Sequence, residues 1–148
     1  MNEDQFYLKT AYALSGCQLV EQELKLYITA ALDLVRKCVG SRMTFNMRGE
    51  DYENSSLERL IEVFKKLSSN DQLLKDLRKF KEERNFLSHR GITHCLDYDG
   101  ELFWTTAEEF QSRLDSIQSE ASRLRIAIHD EANKFLGRLY FEDVPDIR

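Results

Sequence analysis

One apolar stripe constrains this chain more than any other feature. From Phe6 the residues Phe6, Thr10, Ala13, Cys17, Val20, Leu24, Tyr27, Ala31, Leu34 and Cys38 follow one another in alternating steps of four and three. That spacing keeps one face of a helix turned toward a partner. Leu14, Ile28 and Val35 widen the stripe, as a core-facing bundle helix requires. The pattern is unbroken because the chain has one proline, Pro145, and six glycines in 148 residues, so nothing interrupts the i→i−4 ladder. Gly40 is placed to stop the helix in the left-handed conformation.

Three further amphipathic stretches follow. Residues 41–54 are polar with scattered Met and Phe, a connection long for a bundle and therefore expected to be functional or mobile. Ser55 and Glu58 form a capping box for a second helix through Leu57, Leu60, Ile61, Phe64 and Leu67, ending near Ser68. Asn70 caps a third, with Leu73, Leu77, Phe80 and Leu87 on its apolar face and Gly91 as a stop. Asp99-Gly100, set between Cys95-Leu96 and Leu102-Phe103-Trp104, predicts a small β-hairpin over 92–104. Thr105 with Glu108, or Thr106 with Glu109, then caps a last helix. Its seam is Phe110, Leu114, Ile117, Ala121, Leu124, Ile128, Ala132, Phe135 and Leu139, before a tail at 141–148. The expectation is a single all-α domain over residues 1–148. It is an antiparallel four-helix bundle with long first and last helices and a hairpin between the third and fourth.

Composition narrows the function classes. Hydrophobic residues make up 42% and charged residues 32%, a globular balance. The net charge of −5 does not mark a nucleic-acid binder in bulk. Locally it differs: residues 75–90 carry six basic and three acidic side chains, whereas Glu101 to the end carries six basic and ten acidic. An anion-binding surface is therefore expected around the third helix. Cys17, Cys38 and Cys95 are odd in number and far apart, which implies no disulfide framework; Cys17 and Cys38 fall on the apolar stripe. The polar start MNEDQ and the lack of a membrane-length apolar run predict a cytoplasmic protein with no leader and no membrane contact. His94 and Cys95 have no second Cys/His pair at ligand spacing, no Glu-x-x-His pair occurs, and there is no phosphate-cradling glycine loop. No metal or cofactor is expected.

One cluster carries chemistry. Extending the third-helix seam from Leu73, Leu77 and Phe80 puts Arg84 at an apolar-face position, where its charge needs a partner or a wet cavity. Asn85 and His89 lie four apart on the neighbouring face. Arg84 and His89 are about 140° apart on an ideal helix, so they converge only if the helix unwinds near His89 or a second subunit completes the site. A histidine near neutrality can take or give a proton at a ribose 2′-OH or leaving 5′-oxygen. A forked guanidinium can hold the scissile phosphate, and Asn85 can orient either group. Arg90 and Lys81 would attract the RNA backbone. The plainer alternatives are an ion pair of Arg84 with Glu21 or Glu23, and a His89 that meets the carbonyls at the end of its helix.

The segment Glu83-Arg84-Asn85-Phe86-Leu87-Ser88-His89 resembles the Arg-polar-x(3–5)-His motif of HEPN domains, helical bundles that include many bacterial and antiviral ribonucleases. The resemblance spans the chain in helix order, and this segment carries its specificity. It implies a metal-independent endoribonuclease in a toxin, phage-defence or stress role, with Arg84 and His89 catalytic and Asn85 supporting. It also implies a homodimer whose two copies build one cleft, RNA as substrate, and an antitoxin protein as a further partner. The alternative is a non-catalytic module of the same kind that binds a nucleotide, RNA or protein. Gly91 stands where one toxin branch has the tyrosine that its nucleotidyltransferase antitoxin modifies, so that regulation is not expected here.

Overall fold

A computed structural model describes the backbone of residues 3–91 and 100–141, and the side chains of 4–89 and 110–141. The described residues are helical throughout, with irregular connections. The order is α1 (Glu3–Val39), a short 3-10 turn (Gly49–Tyr52), α2 (Leu57–Leu67), α3 (Asp71–Phe86) running into a π-helical turn (Leu87–Gly91), and α4 (Gly100–Tyr140). Among the described residues no helix is long and apolar enough to cross a membrane.

The two long helices form the spine. Phe6, Thr10, Ala13, Cys17, Val20, Leu24, Tyr27 and Ala31 are buried on α1. They meet Phe110, Leu114, Ile117, Ala121, Leu124, Ile128 and Ala132 on α4, also buried. Burying a Leu, Ile or Phe side chain contributes roughly 1.5–3 kcal/mol each, so this seam dominates the stability. A Cβ added at Gly16 would lie 3.0 Å from the Cβ of Ala121, which marks a close approach of the two helices.

The direction of packing departs from the expected antiparallel bundle. Phe6 meets Phe110, Lys9 pairs with Asp115, Gly16 faces Ala121, Tyr27 packs on Phe135, and Lys37 Nζ donates to the carbonyls of Arg138 and Leu139. Residue numbers rise together on both helices, so α1 and α4 are parallel. The cause is the 41–54 segment. It does not turn α1 straight into an antiparallel neighbour but runs back down its side: Arg36 Nη2 donates to the Met47 carbonyl at 2.9 Å, and Gly49 lies against Thr29. A Cβ at Gly49 would stand 1.9 Å from Thr29 Oγ1, so this close approach requires glycine. Phe45 and Tyr52 pack on the core, and Arg59 sits 5.5 Å over the Tyr52 ring. The long connection is thus an ordered crossover. Then α2 ascends beside α1, and α3 descends between α2 and α4.

Capping follows the sequence with one shift. Ser56, not Ser55, caps α2 by accepting from Arg59 N, and Asn70 Oδ1 accepts from Leu73 N at 3.1 Å. Gly40 closes α1 at φ +57° with its N–H donating to the Arg36 carbonyl. The predicted second hairpin strand is wrong: Gly100 to Trp104 belong to α4, which starts well before Thr105. Its physical basis is the register. In the sequence Phe103 and Ala107 stand seven and three residues before Phe110, where the seam begins, a helical rather than an alternating spacing, and Glu101 is in the first turn, where the helix dipole favours an acid. The other half of the predicted hairpin, like the 142–148 part of the tail, lies outside the described residues.

The buried face of α1 also shifts past Ala31. Leu34 is only half-buried, Val35 and Cys38 are exposed, and Ala30 and Leu32 are buried instead. The α2–α3 turn closes at the level of Tyr27, whose hydroxyl donates to the Leu67 carbonyl, so beyond it the stripe has fewer helices to face.

That turn is fixed by Glu131 of α4, 9% exposed, whose carboxylate accepts from Asn70 Nδ2 at 2.7 Å, Ser68 Oγ at 3.3 Å and Lys134 Nζ at 2.6 Å. Burial acts to raise its pKa, but the donors from Lys134, Asn70 and Ser68 outweigh it and hold the carboxyl below its ordinary 4.5. A depressed folded value means stability present above the ordinary pKa and lost as the pH falls through the folded one. Glu131→Gln is therefore expected to lower the melting temperature at neutral pH, with the gap to wild type narrowing as the pH falls below the ordinary 4.5 and through the lowered folded value. Thermal melts across that range check it; a gap independent of pH contradicts it.

Candidate functional site at the end of the third helix

The site forms where α2 leaves space. Lys81 on α3 pairs with Glu58, in the first turn of α2, at 3.9 Å, and Arg78 pairs with Glu62 at 3.6 Å. One turn beyond Lys81, α3 has passed the start of α2 and meets α1 instead. There Arg84 Nη2 lies 3.6 Å from Glu21 Oε1, with the arginine side chain 39% exposed and the glutamate 17%. The sequence left Glu21 and Glu23 open as partners. The choice is geometric: Glu21 shares a face with the buried Cys17 and Leu24, whereas Glu23 lines a groove toward α4 with Ser122, Arg125, Ile126 and His129.

At 3.6 Å and this exposure, the Arg84–Glu21 pair contributes at most about 1 kcal/mol. It aims the guanidinium without locking it away. Cys17 lies one turn before Glu21 and feels both charges. Burial pushes its thiol up to about 11, Arg84 opposes the rise and Glu21 adds to it. The thiol is therefore protonated at neutral pH and chemically inert.

Past Phe86 the helix widens. Leu87 is buried, its N–H is shared between the carbonyls of Arg84 and Glu83, and Leu87–Gly91 form a π turn. Bonds running i→i+5 need more residues to complete a turn, so residues five apart come nearer to one side than on a regular helix. Arg84 and His89 are five apart, with Arg84 in the last turn of α3 and His89 within the π turn. Asn85 is half-buried and His89 exposed. Lys81, 22% exposed, also pairs with Glu82 at 3.7 Å, so its charge is directed toward acids on α2 and α3. Arg90 lies in the π turn, with its side chain outside the described residues. The basic surplus of the third helix is thus partly offset by α2 through Glu58 and Glu62.

On the other flank stands a group that no sequence pattern marked. Arg113 of α4 donates to both oxygens of Glu83, at 2.7 and 2.9 Å, and lies 3.3 Å over the ring of Phe86. That ring stacks on Phe110 at 5.3 Å. Such a fork-to-fork pair, backed by a cation on an aromatic face, holds the C-terminal end of α3 against α4. The two partners are 30 residues apart, so no local spacing could have revealed them.

The chain matches no family model, no curated protein and no solved structure. The reading of the site rests on its own residues.

In a variant whose other cysteines are replaced by serine, Cys17 is expected to stay unlabelled by a thiol reagent at neutral pH until the chain unfolds. Labelling of the native protein at the rate of a free thiol contradicts this burial.

Proposed function

We propose that the chain is a metal-independent endoribonuclease of the HEPN type, working as a homodimer. What supports this reading is the π turn that begins at Leu87, two residues after Asn85, and holds His89, because a widened turn reduces the angle between residues five apart. In this reading Arg84 grips the scissile phosphate and offsets charge that develops on it, displacing the weak contact with Glu21. His89 moves the proton of the attacking 2′-OH or of the leaving 5′-oxygen, and Asn85 orients one of the two groups. Lys81 and Arg90 add attraction for the backbone.

A second reading has its own support in the Arg84–Glu21 pair, since an arginine already held by a carboxylate inside one subunit suits a module that binds without cleaving. The two readings separate in one assay. For the nuclease, single-stranded RNA is cut in EDTA, and His89→Ala and Arg84→Ala each lose about 100-fold or more in rate. Their melting temperatures stay near wild type, because His89 is exposed and the Arg84 pair is weak. RNA that raises the melting temperature but remains intact selects the binding module. Equal cleavage by wild type and both variants rules out this site.

A further inference from the structure

A second groove lies on the side of α1 away from Arg84, since Glu23 stands about 200° around the helix from Glu21. It has a volume of about 390 Å³ and is lined by Glu23 of α1 and by Ser122, Arg125, Ile126 and His129 of α4. That volume falls within the ~300–1,000 Å³ range of small-ligand clefts. Glu23 precedes the buried Leu24, while Ser122, Arg125 and His129 each follow a buried residue, Ala121, Leu124 and Ile128. One residue is about 100° of helix, so these polar side chains border the apolar seam. Glu23 and Arg125 are half-buried there, and Ser122 and His129 are exposed.

Two opposite charges share this groove without meeting. Among the described residues neither the Glu23 carboxylate nor the Arg125 guanidinium has a hydrogen bond or an ion pair. Arg125 Nε lies out of contact with water and has no acceptor. The sequence explains the lack of local partners. One turn to either side, Arg125 has Ala121, Ser122, Ile128 and His129, and Glu23 has Leu19, Val20, Leu26 and Tyr27. No helical neighbour of either supplies the opposite charge. Arg36, also half-buried, is by contrast bonded to Asp33 and to the Met47 carbonyl. A guanidinium has five donors, no acceptor and a permanent charge. Partly stripped of water, each charge in the groove gains when a group of opposite sign reaches it.

We infer that this groove binds a small zwitterion of the α-amino-acid class. The ligand carboxylate takes the fork of Arg125, with the Ser122 hydroxyl and the His129 imidazole on either side as further donors. The ligand ammonium meets Glu23, and an apolar ligand side chain lies on Ile126, which is 64% exposed. A plain anion satisfies Arg125 but confronts Glu23, and a plain amine does the reverse. A ligand that carries both signs leaves neither charge opposed. No residue of the nuclease reading enters this site, so either can fail without the other.

A nuclear magnetic resonance titration of the full chain with L-leucine at neutral pH tests it. Saturable shifts are expected at Glu23 and from Ser122 to His129. Isocaproate, which is leucine without its ammonium, and isoamylamine, which lacks the carboxylate, are each expected to bind at least about tenfold more weakly. Arg125→Gln and, separately, Glu23→Gln are expected to weaken leucine about tenfold or more with unchanged helical circular dichroism. The two substitutions lie on different helices, so a variant that fails to fold leaves the other to decide. Wild-type protein that gives no saturable shift with leucine overturns the inference. Equal binding of either single-charge analogue overturns it too, as does undiminished binding by a folded variant.

Discussion

The parallel contact between α1 and α4 determines the rest of the structure. Their seam buries most of the large apolar side chains described on both helices, and at Gly16 the absent Cβ leaves room for the Ala121 side chain. Two parallel helices cannot be joined by short turns in an up-and-down bundle. The chain has to travel back along α1, and the crossover through Gly49 does so, stitched by Thr29, Met47 and Tyr52. With that return made, α2 starts part-way along the spine, and α3 ends in a space that α2 does not cover. The candidate site is a consequence of this topology rather than an addition to it.

Electrostatics at that end are graded. Glu83 and Arg113 form a tight bidentate pair backed by Phe86, which anchors one side of α3. Arg84, the next residue, makes only a long contact with Glu21 and keeps much of its surface in water. The energetic contrast matters: a close fork-to-fork pair resists displacement, whereas a half-exposed pair at 3.6 Å yields readily to a phosphate. Of two adjacent residues on one helix, Glu83 thus holds the helix against α4, while Arg84 keeps the looser contact.

Much of this was legible in the residues. The stripe from Phe6 to Ala31 and the seam from Phe110 to Ala132 are buried as their periodicity requires, and Asn70 and Gly40 cap as their chemistry predicts. Arg84 on an apolar-face position called for a carboxylate, and one of the two foreseen glutamates supplies it. What was not legible depends on non-local facts. Helix direction is set by where residues 41–54 run, which periodicity does not encode. Val35 and Cys38 carry the right spacing, yet they lie beyond the level at which the α2–α3 turn closes. Asp99-Gly100 has hairpin chemistry, but Gly100 is the first residue of α4, and in the sequence Phe103 and Ala107 stand at helical spacing before Phe110. The Glu83–Arg113 pair and the Glu131 clamp join residues too distant for any motif.

The central claim, proposed above, is that Arg84 and His89 act together on one phosphodiester. The most direct measurement is a nuclear magnetic resonance titration of the side-chain signals of Arg84 and His89 with a short RNA whose cleavage-site 2′-OH is replaced by hydrogen. Both signals are expected to move together with one dissociation constant, and Arg84→Ala to abolish the shift at His89. An RNA that moves one signal and leaves the other in place contradicts it.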